Sequence, residues 1–581
     1  MLVTTSIESL WPKSGPILFL GDWCLRYSRK EAWKDRIFSV IPYHWDQRAQ
    51  IPLDLAYITE TYESVLLELA QTLNQVHGVD HSIRYWRIVV GPWLYLFCQV
   101  AFDRWKMIQS ASLQHPNCTL IRVETKGSLP ASPDMASFSA DIRFDPWNER
   151  LFADLAEGWT EIQVIGQATP NYTQKKHVLQ QGSSIARRIM IKLYKLVERG
   201  TVTKQKVSLY KDYMRVTQKL NLGFLLGQFP RLSSTAVSEF SGPQSAEERE
   251  WRLEISGSDD FTSIISTLVP IYIPVCYLEG YSAADETALT AGLPNQPRVI
   301  MTANAFDSDE IWKLWAGREC DEGAKLVIAQ HGGHYGAGAW SAMQNHEVEI
   351  SDRYLSWGWS DPLEPKVFPA PATKLIGLRP RKRTQGYNSL LLVTDILPRL
   401  SYWIFSAPLG PQFESYLEDQ FRFTTNLAPN AREDLIVRLR EADYGWDIQQ
   451  RWLDREPQIQ LDLGQQRMEP LLKQSRLCVC SYNATTFLES FVMNIPTVMF
   501  WNPRFNEVAA PFQHHYDGLR RANILFDDPE SCAAHVNSIW HDVPRWWASK
   551  DIQAAVHDFS QHFAYVGNRP LRELKTALAK W

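Results

Sequence analysis

Two stretches of this chain carry residues whose types and spacing could do chemistry. The first is Gln330-His331-Gly332-Gly333-His334-Tyr335-Gly336-Ala337-Gly338, directly after the apolar run Lys325–Ala329. Four glycines in nine residues let the backbone approach a ligand closely. Histidine can take a proton from a hydroxyl near neutral pH, so His331, next to the strand end, is the first candidate base and His334 the second. Either could equally be a phosphate contact or a hydrogen-bonded structural residue. The loop lacks the Gly-Lys-Ser/Thr ending of a phosphate loop. It also has no Asp, Cys or third His at ligand spacing, so no metal is expected there. The second stretch spans residues 476–503. An apolar run leads into the polar turn Ser481-Tyr482-Asn483-Ala484-Thr485-Thr486, then a helical phase carrying Glu489, then Pro496 and a second apolar run. Free N–H groups at that helix start could hold an anionic oxygen, which makes the unit a candidate nucleotide-diphosphate seat. The alternative is a capping box, in which Thr486 and Glu489 satisfy the amides of their own helix. Arg438 and Arg440 flank Leu439 at another strand end, and one of them would reach ligand phosphates. Asp22, after the strand-like run 17–20, and Glu349 are carboxylate alternatives to the histidine base; Asp22 could also simply cap a helix.

These residues need elements to place them. Short apolar runs at 298–302, 325–329 and 354–357 alternate with helical segments, which predicts a parallel sheet and an α/β fold. The second half alternates more regularly, with strands predicted at 389–394, 434–439, 459–461, 477–481, 497–501 and 524–526 and helices between them. A doubly wound sheet binds its ligand beyond the strand C-termini. Residues 59–77 have apolar positions at helical spacing. Strands are expected at 36–42, 118–123 and 221–229, and helices at 185–199 and 259–269. Four prolines interrupt residues 126–181, so residues 126–260 are expected to form a large irregular and helical insertion. The basic segment Arg379-Pro380-Arg381-Lys382-Arg383-Thr384-Gln385-Gly386 marks a boundary. It separates an acceptor-side domain, 1–380, from a nucleotide-binding domain, 381–581, whose last helix could return to the first domain.

Composition narrows the classes of function. At 581 residues, 45% hydrophobic and 22% charged, the chain is an ordinary globular protein of at least two cores. A net charge of −5 without a long basic run argues against nucleic acid as a partner. Residues 88–102, the most apolar window, are too short to span a bilayer and should be a buried helix. The start of the chain lacks signal-peptide features. Of eight cysteines only Cys478 and Cys480 are close, so free buried thiols and a cytoplasmic location are expected, at most peripheral at the inner membrane face.

Together, Gly21-Asp22-Trp23-Cys24, the segment 84–94, the loop 330–336, the segment 351–359 and the stretch 481–503 resemble a bacterial family of transferases of surface-carbohydrate clusters. The stretch 481–503 is also similar to the donor-binding segment of GT-B glycosyltransferases. That resemblance implies two Rossmann-like domains facing across a cleft. It implies that Glu489 takes the ribose hydroxyls of a nucleotide sugar while Ser481, Asn483, Thr485 and Thr486 meet its phosphates. Asn494 stands where that family has Gly at the helix exit; Asn tolerates the same left-handed cap. More distantly, the chain resembles capsule and lipopolysaccharide transferases. Those using CMP donors carry a His-Pro pair where this chain has Arg438-Leu439-Arg440-Glu441, so phosphate contact would fall to an arginine. The implied activity is metal-independent transfer of a sugar to a hydroxyl of a glycan or lipid-linked glycan, with the nucleotide sugar as substrate and no cofactor. A nucleotide-sugar epimerase of the same fold and a non-catalytic glycan-assembly protein are the rival expectations.

Overall fold

Parallel strands buried on both faces read as continuous apolar runs, and that is how this chain builds its sheets. A computed structural model describes residues 1–123, 130–168, 206–228, 245, 247–255, 257, 259–381 and 388–579. The second half forms a six-stranded, all-parallel sheet from β11 (Ser389–Val393), β12 (Leu435–Arg438), β13 (Gln460–Asp462), β14 (Ser475–Cys480), β15 (Thr497–Phe500) and β16 (Leu525–Phe526). Their order is β13-β12-β11-β14-β15-β16. The chain runs outward from β11 to one edge, then returns to place β14 on its other side. The reversal between β11 and β14 is the switch point at which such sheets open a crevice.

The first half contains a five-stranded parallel sheet: β6 (Val207–Tyr210), β7 (Val299–Thr302), β8 (Lys325–Ala329), β9 (Arg353–Ser356) and β10 (Val367–Pro369), in sequential order. The fold class is therefore the expected one, mixed α/β with a parallel sheet in each half. Its edge strand β6 comes from within the stretch expected to be insertion. The described residues up to 168 form another layer, where a single first-domain sheet was expected. There β1 (Leu2–Val3), β2 (Ile17–Phe19) and β3 (Phe38–Val40) make a small parallel sheet, with a parallel pair β4 (Thr119–Val123) and β5 (Gln163–Ala168) nearby. They pack on the helices Ile51–His77 and Gly91–Gln114. The latter is the most deeply buried helix of the layer, as the apolar window required. Among the described residues no helix is long and apolar enough to cross a membrane.

Two expectations fail or fall outside. Residues 221–229 were expected as a strand, but Val216–Leu225 is a helix; the apolar run is short, and such runs do not distinguish buried strand from helix. The basic helix expected at 185–199 and most of the boundary segment lie outside the described residues.

The last helix, Pro570–Ala579, packs on the first-half sheet, not the second. Leu574, Ala577 and Leu578 are buried against Val207, Leu209, Leu222 and Val299. Leu574 is fully buried. Leu574→Ala should cost about 2–5 kcal/mol, the range for large-to-small core changes. Equilibrium denaturation measures this, and an unchanged midpoint would show that the docked helix adds no stability.

Candidate functional site

The C-terminal ends of β11, β12, β13 and β14 open into a cavity of about 680 Å³, within the usual range for small-molecule sites. Thr394 and Asp395 follow β11, Leu439 and Arg440 follow β12, Gly464 follows β13, and the turn 482–486 follows β14. From the first half, His334 and Lys374 complete the wall. The cavity thus lies at the switch point, between the two parallel sheets.

The helix after the turn is Thr485–Val492, with Ala484 at its N-cap and no side-chain cap. The capping-box alternative is thereby excluded. Thr486 sits inside the first turn and its hydroxyl pairs with that of Tyr482 at 2.8 Å. Alanine has no side-chain oxygen to offer the first-turn amides, so this end keeps its donors and positive dipole for an anion. Glu489, one turn further in, also lines the cavity and lies 4.0 Å from Lys374. Burial pushes the Glu489 carboxyl up, with Lys374 opposing, and pushes the Lys374 ammonium down, with Glu489 opposing. At the helix exit Asn494 adopts the left-handed conformation, φ 51°, and accepts a bond from the Trp547 indole at 2.7 Å.

The glycine-rich loop meets this helix directly. The Gly333 N–H donates to Thr485 Oγ1 at 3.1 Å. A Cβ on Gly333 would stand 2.6 Å from the Ala484 carbonyl oxygen, so only glycine permits this approach. A Cβ on Gly332 would meet the Tyr335 ring at 2.9 Å. His334 faces the cavity, packed between Tyr335 and Phe405, and burial lowers its pKa to about 4. His331 does not line the cavity. Its Nε2 lies 3.2 Å from the Tyr335 hydroxyl and its Nδ1 3.5 Å from Glu347. Burial, then His334 and Lys374, lower the His331 pKa to about 3.

The remaining sequence candidates separate. Arg440 lines the cavity, pairs with Asp395 at 2.9 Å and lies over the Tyr482 ring. Arg438 touches the wall but is committed to Asp462 and to the carbonyls of Gly464 and Gln466. Asn483 lines the cavity and accepts from Tyr516 at 3.1 Å. Ser481 is buried behind it, bonded to Tyr416 and to the Val393 carbonyl. Asp22 begins a short turn after β2, in the separate N-terminal layer, and Glu349 is an exposed helix residue near Lys366; neither reaches the cavity.

Several groups carried no usable sequence signal. Glu347 is fully buried beside His331, while Glu349, two helix positions on, points out; two positions are about 200° of helix, opposite faces. Lys374 stands in an irregular Pro- and Ala-rich stretch. Asp395 marked a strand end without any pattern giving it a role. Arg143 lies between the rings of Tyr402 and Tyr444, both on the cavity wall. Its buried Nε meets no acceptor among the described residues.

Two parallel sheets with a crevice at the switch point define a two-lobed α/β protein of Rossmann type. The chain matches the family described as LIC12162 family transferase over residues 1–578, and it belongs to that family. Among solved structures it is similar to the wall teichoic acid polymerase TagF, at 9% identity and a TM-score of 0.29, covering 68% of this chain and 96% of that one. It is similar to Anabaena HepE in complex with UDP and glucose, at 12% identity and TM-score 0.36, covering 65% and 100%. It is similar to WaaG, a glycosyltransferase involved in lipopolysaccharide biosynthesis, at 9% and 0.28, covering 52% and 96%. No curated protein gives a significant sequence match. The fold assigned above stands on the strand order itself.

Burial pushes the Glu347 carboxyl well above its ordinary value near 4.5, with Tyr335 and Tyr354 facing it. Above pH 4.5 the unfolded chain has lost this proton while the native state keeps it. The contribution of Glu347 to stability should therefore fall as pH rises toward its folded pKa, by up to about 1.4 kcal/mol per pH unit, while His331 and His334 act in the opposite sense below about pH 6.5. Glu347→Gln should flatten that decline. Melting temperatures of both proteins from pH 5 to pH 8 test it; parallel curves would remove the buried proton from the account.

Proposed function

We propose that this transferase is a glycosyltransferase. It takes a sugar from a nucleotide-activated donor and places it on an acceptor hydroxyl in surface-polysaccharide synthesis. One observation carries the reading: the uncapped start of helix Thr485–Val492 and Glu489 line the same cavity at the switch point. The donor diphosphate sits on the first-turn amides, with Asn483, Thr485 and Arg440 around it. Glu489 accepts the ribose hydroxyls one turn away. As the glycosidic bond to the diphosphate breaks, the amides and Lys374 stabilise the charge that develops on the leaving oxygen. The acceptor occupies the end lined by Tyr402, Phe405 and Tyr444. His334, neutral at pH 7 and on the wall between the two ends, takes the hydroxyl proton. His331 supports the loop from behind. No step of this scheme requires a metal ion.

A thermal-shift panel of UDP, GDP, dTDP, CMP and CDP tests the donor site. The matching nucleotide at a hundredfold excess over its Kd should stabilise the protein by about 2.7 kcal/mol. No response to any of the five would overturn the donor assignment. Free nucleotide released only when acceptor is added separates transfer from epimerisation. Glu489→Gln should weaken nucleotide binding and leave the melting temperature of the free protein nearly unchanged. Unaltered affinity would remove Glu489 from the ribose.

His334→Ala should lose about 10²–10⁴ in turnover while donor affinity survives. His331→Ala should act mainly on stability. The reverse pattern, with turnover lost only in His331→Ala, would move the base to His331.

A further inference from the structure

Outside the lining of the cavity, three metal-ligating side chains from two helices converge. His515 lies on helix Gln513–Arg521; Asp558 and His562 lie on helix Lys550–Phe563. Asp558 and His562 are four positions apart and share a face. His515 Nδ1 is 2.9 Å from Asp558 Oδ2, and one ligand atom from each of the three residues lies within 4.8 Å of the others. The His515 and His562 ring centroids lie 4.0 Å apart, with the rings tilted by 37°. His562 Nδ1 engages the Asp558 backbone carbonyl at 3.0 Å. That bond makes Nδ1 the protonated nitrogen and leaves the Nε2 lone pair available, the way ligating histidines are usually oriented. His515 is buried and Asp558 exposed, so the cluster has an inner wall and an open side.

We propose that His515, Asp558 and His562 bind one divalent ion of the zinc class, with water in the remaining position. Two imidazoles and one carboxylate suit zinc and its neighbours; magnesium and calcium take sets of oxygen ligands. The ion ties the two helices together. Tyr516, next to His515, donates to Asn483 in the turn after β14, and Phe559, next to Asp558, packs on Phe487 and Tyr516. The metal thus holds the elements behind the turn and takes no part in the transfer chemistry. The site does not depend on the glycosyltransferase reading.

The test uses the full-length protein, stripped by a chelator and titrated with ZnCl₂ in competition with a chromophoric chelator. One equivalent should bind tightly enough to compete, raise the melting temperature, and give a cobalt-substituted protein with visible ligand-field absorption. His562→Gln and Asp558→Asn change residues on the open side, where folding is least at risk. Each should weaken zinc binding roughly tenfold or more and abolish the thermal shift. His515→Gln should do the same if it folds, as judged by its metal-free melting temperature. The proposal is overturned if no zinc binds in competition, or if zinc binds both open-side variants with unchanged affinity.

Discussion

Everything at the cavity depends on how closely two backbones approach between β8 and the helix Thr485–Val492. Gly333 donates to Thr485 with no room for a Cβ, and the loop continues as a seam into the second half. The Ala339 N–H donates to the Glu507 carbonyl and the Ala509 N–H to the Ala337 carbonyl, each at 2.9 Å. Ala342 donates to Ile404 and Ser406 to Trp340. Gly336 takes φ 76° where a Cβ would enter the Trp359 indole at 2.3 Å. These bonds register the first sheet against the second. His334 therefore reaches a cavity built almost wholly by the other half.

The N-terminal layer is bound to the second half by buried polar contacts of another kind. Arg399 pairs with Asp145 and donates to the Trp23 carbonyl. Arg104 reaches Ser401, and Arg48 pairs with Glu507 through two bonds. Removing either partner of such a pair leaves a buried charge or donor unsatisfied, which costs more than the pair itself contributes. The layer is thus tied to two second-half segments, the one carrying Arg399 and Ser401 and the one carrying Glu507. Its residues bear on the cavity without lining it, through Glu507 and through Arg143 between Tyr402 and Tyr444.

The second half was legible in the sequence because its strands are apolar on both faces and its helices intervene regularly. Every predicted strand there lies within two residues of an observed one. The first half was less legible. Its sheet is assembled from distant segments, and neither periodicity nor turn chemistry tells which sheet a short strand such as Ile17–Phe19 joins. Within the site, the turn 482–486 and Glu489 were readable because strand, turn and helix are contiguous. The orientation of the histidines was not. His331 and His334 are three residues apart in an irregular loop, and their surroundings are set by Tyr335 within it and by Glu347 and Phe405, which reach the loop only through folding. Which of Arg438 and Arg440 would stand free at the cavity was not legible either, because the loop after β13 captures the first and leaves the second.

The return of helix Pro570–Ala579 to the first-half sheet bears on how the chain is made. During synthesis, the face of that sheet formed by Val207, Leu209 and Val299 emerges hundreds of residues before the leucines that cover it. Until residue 578 leaves the ribosome, this apolar surface is open to any other partner. The first lobe is therefore completed only after the second has been made, and an interrupted chain would present its sheet to aggregation or to a chaperone.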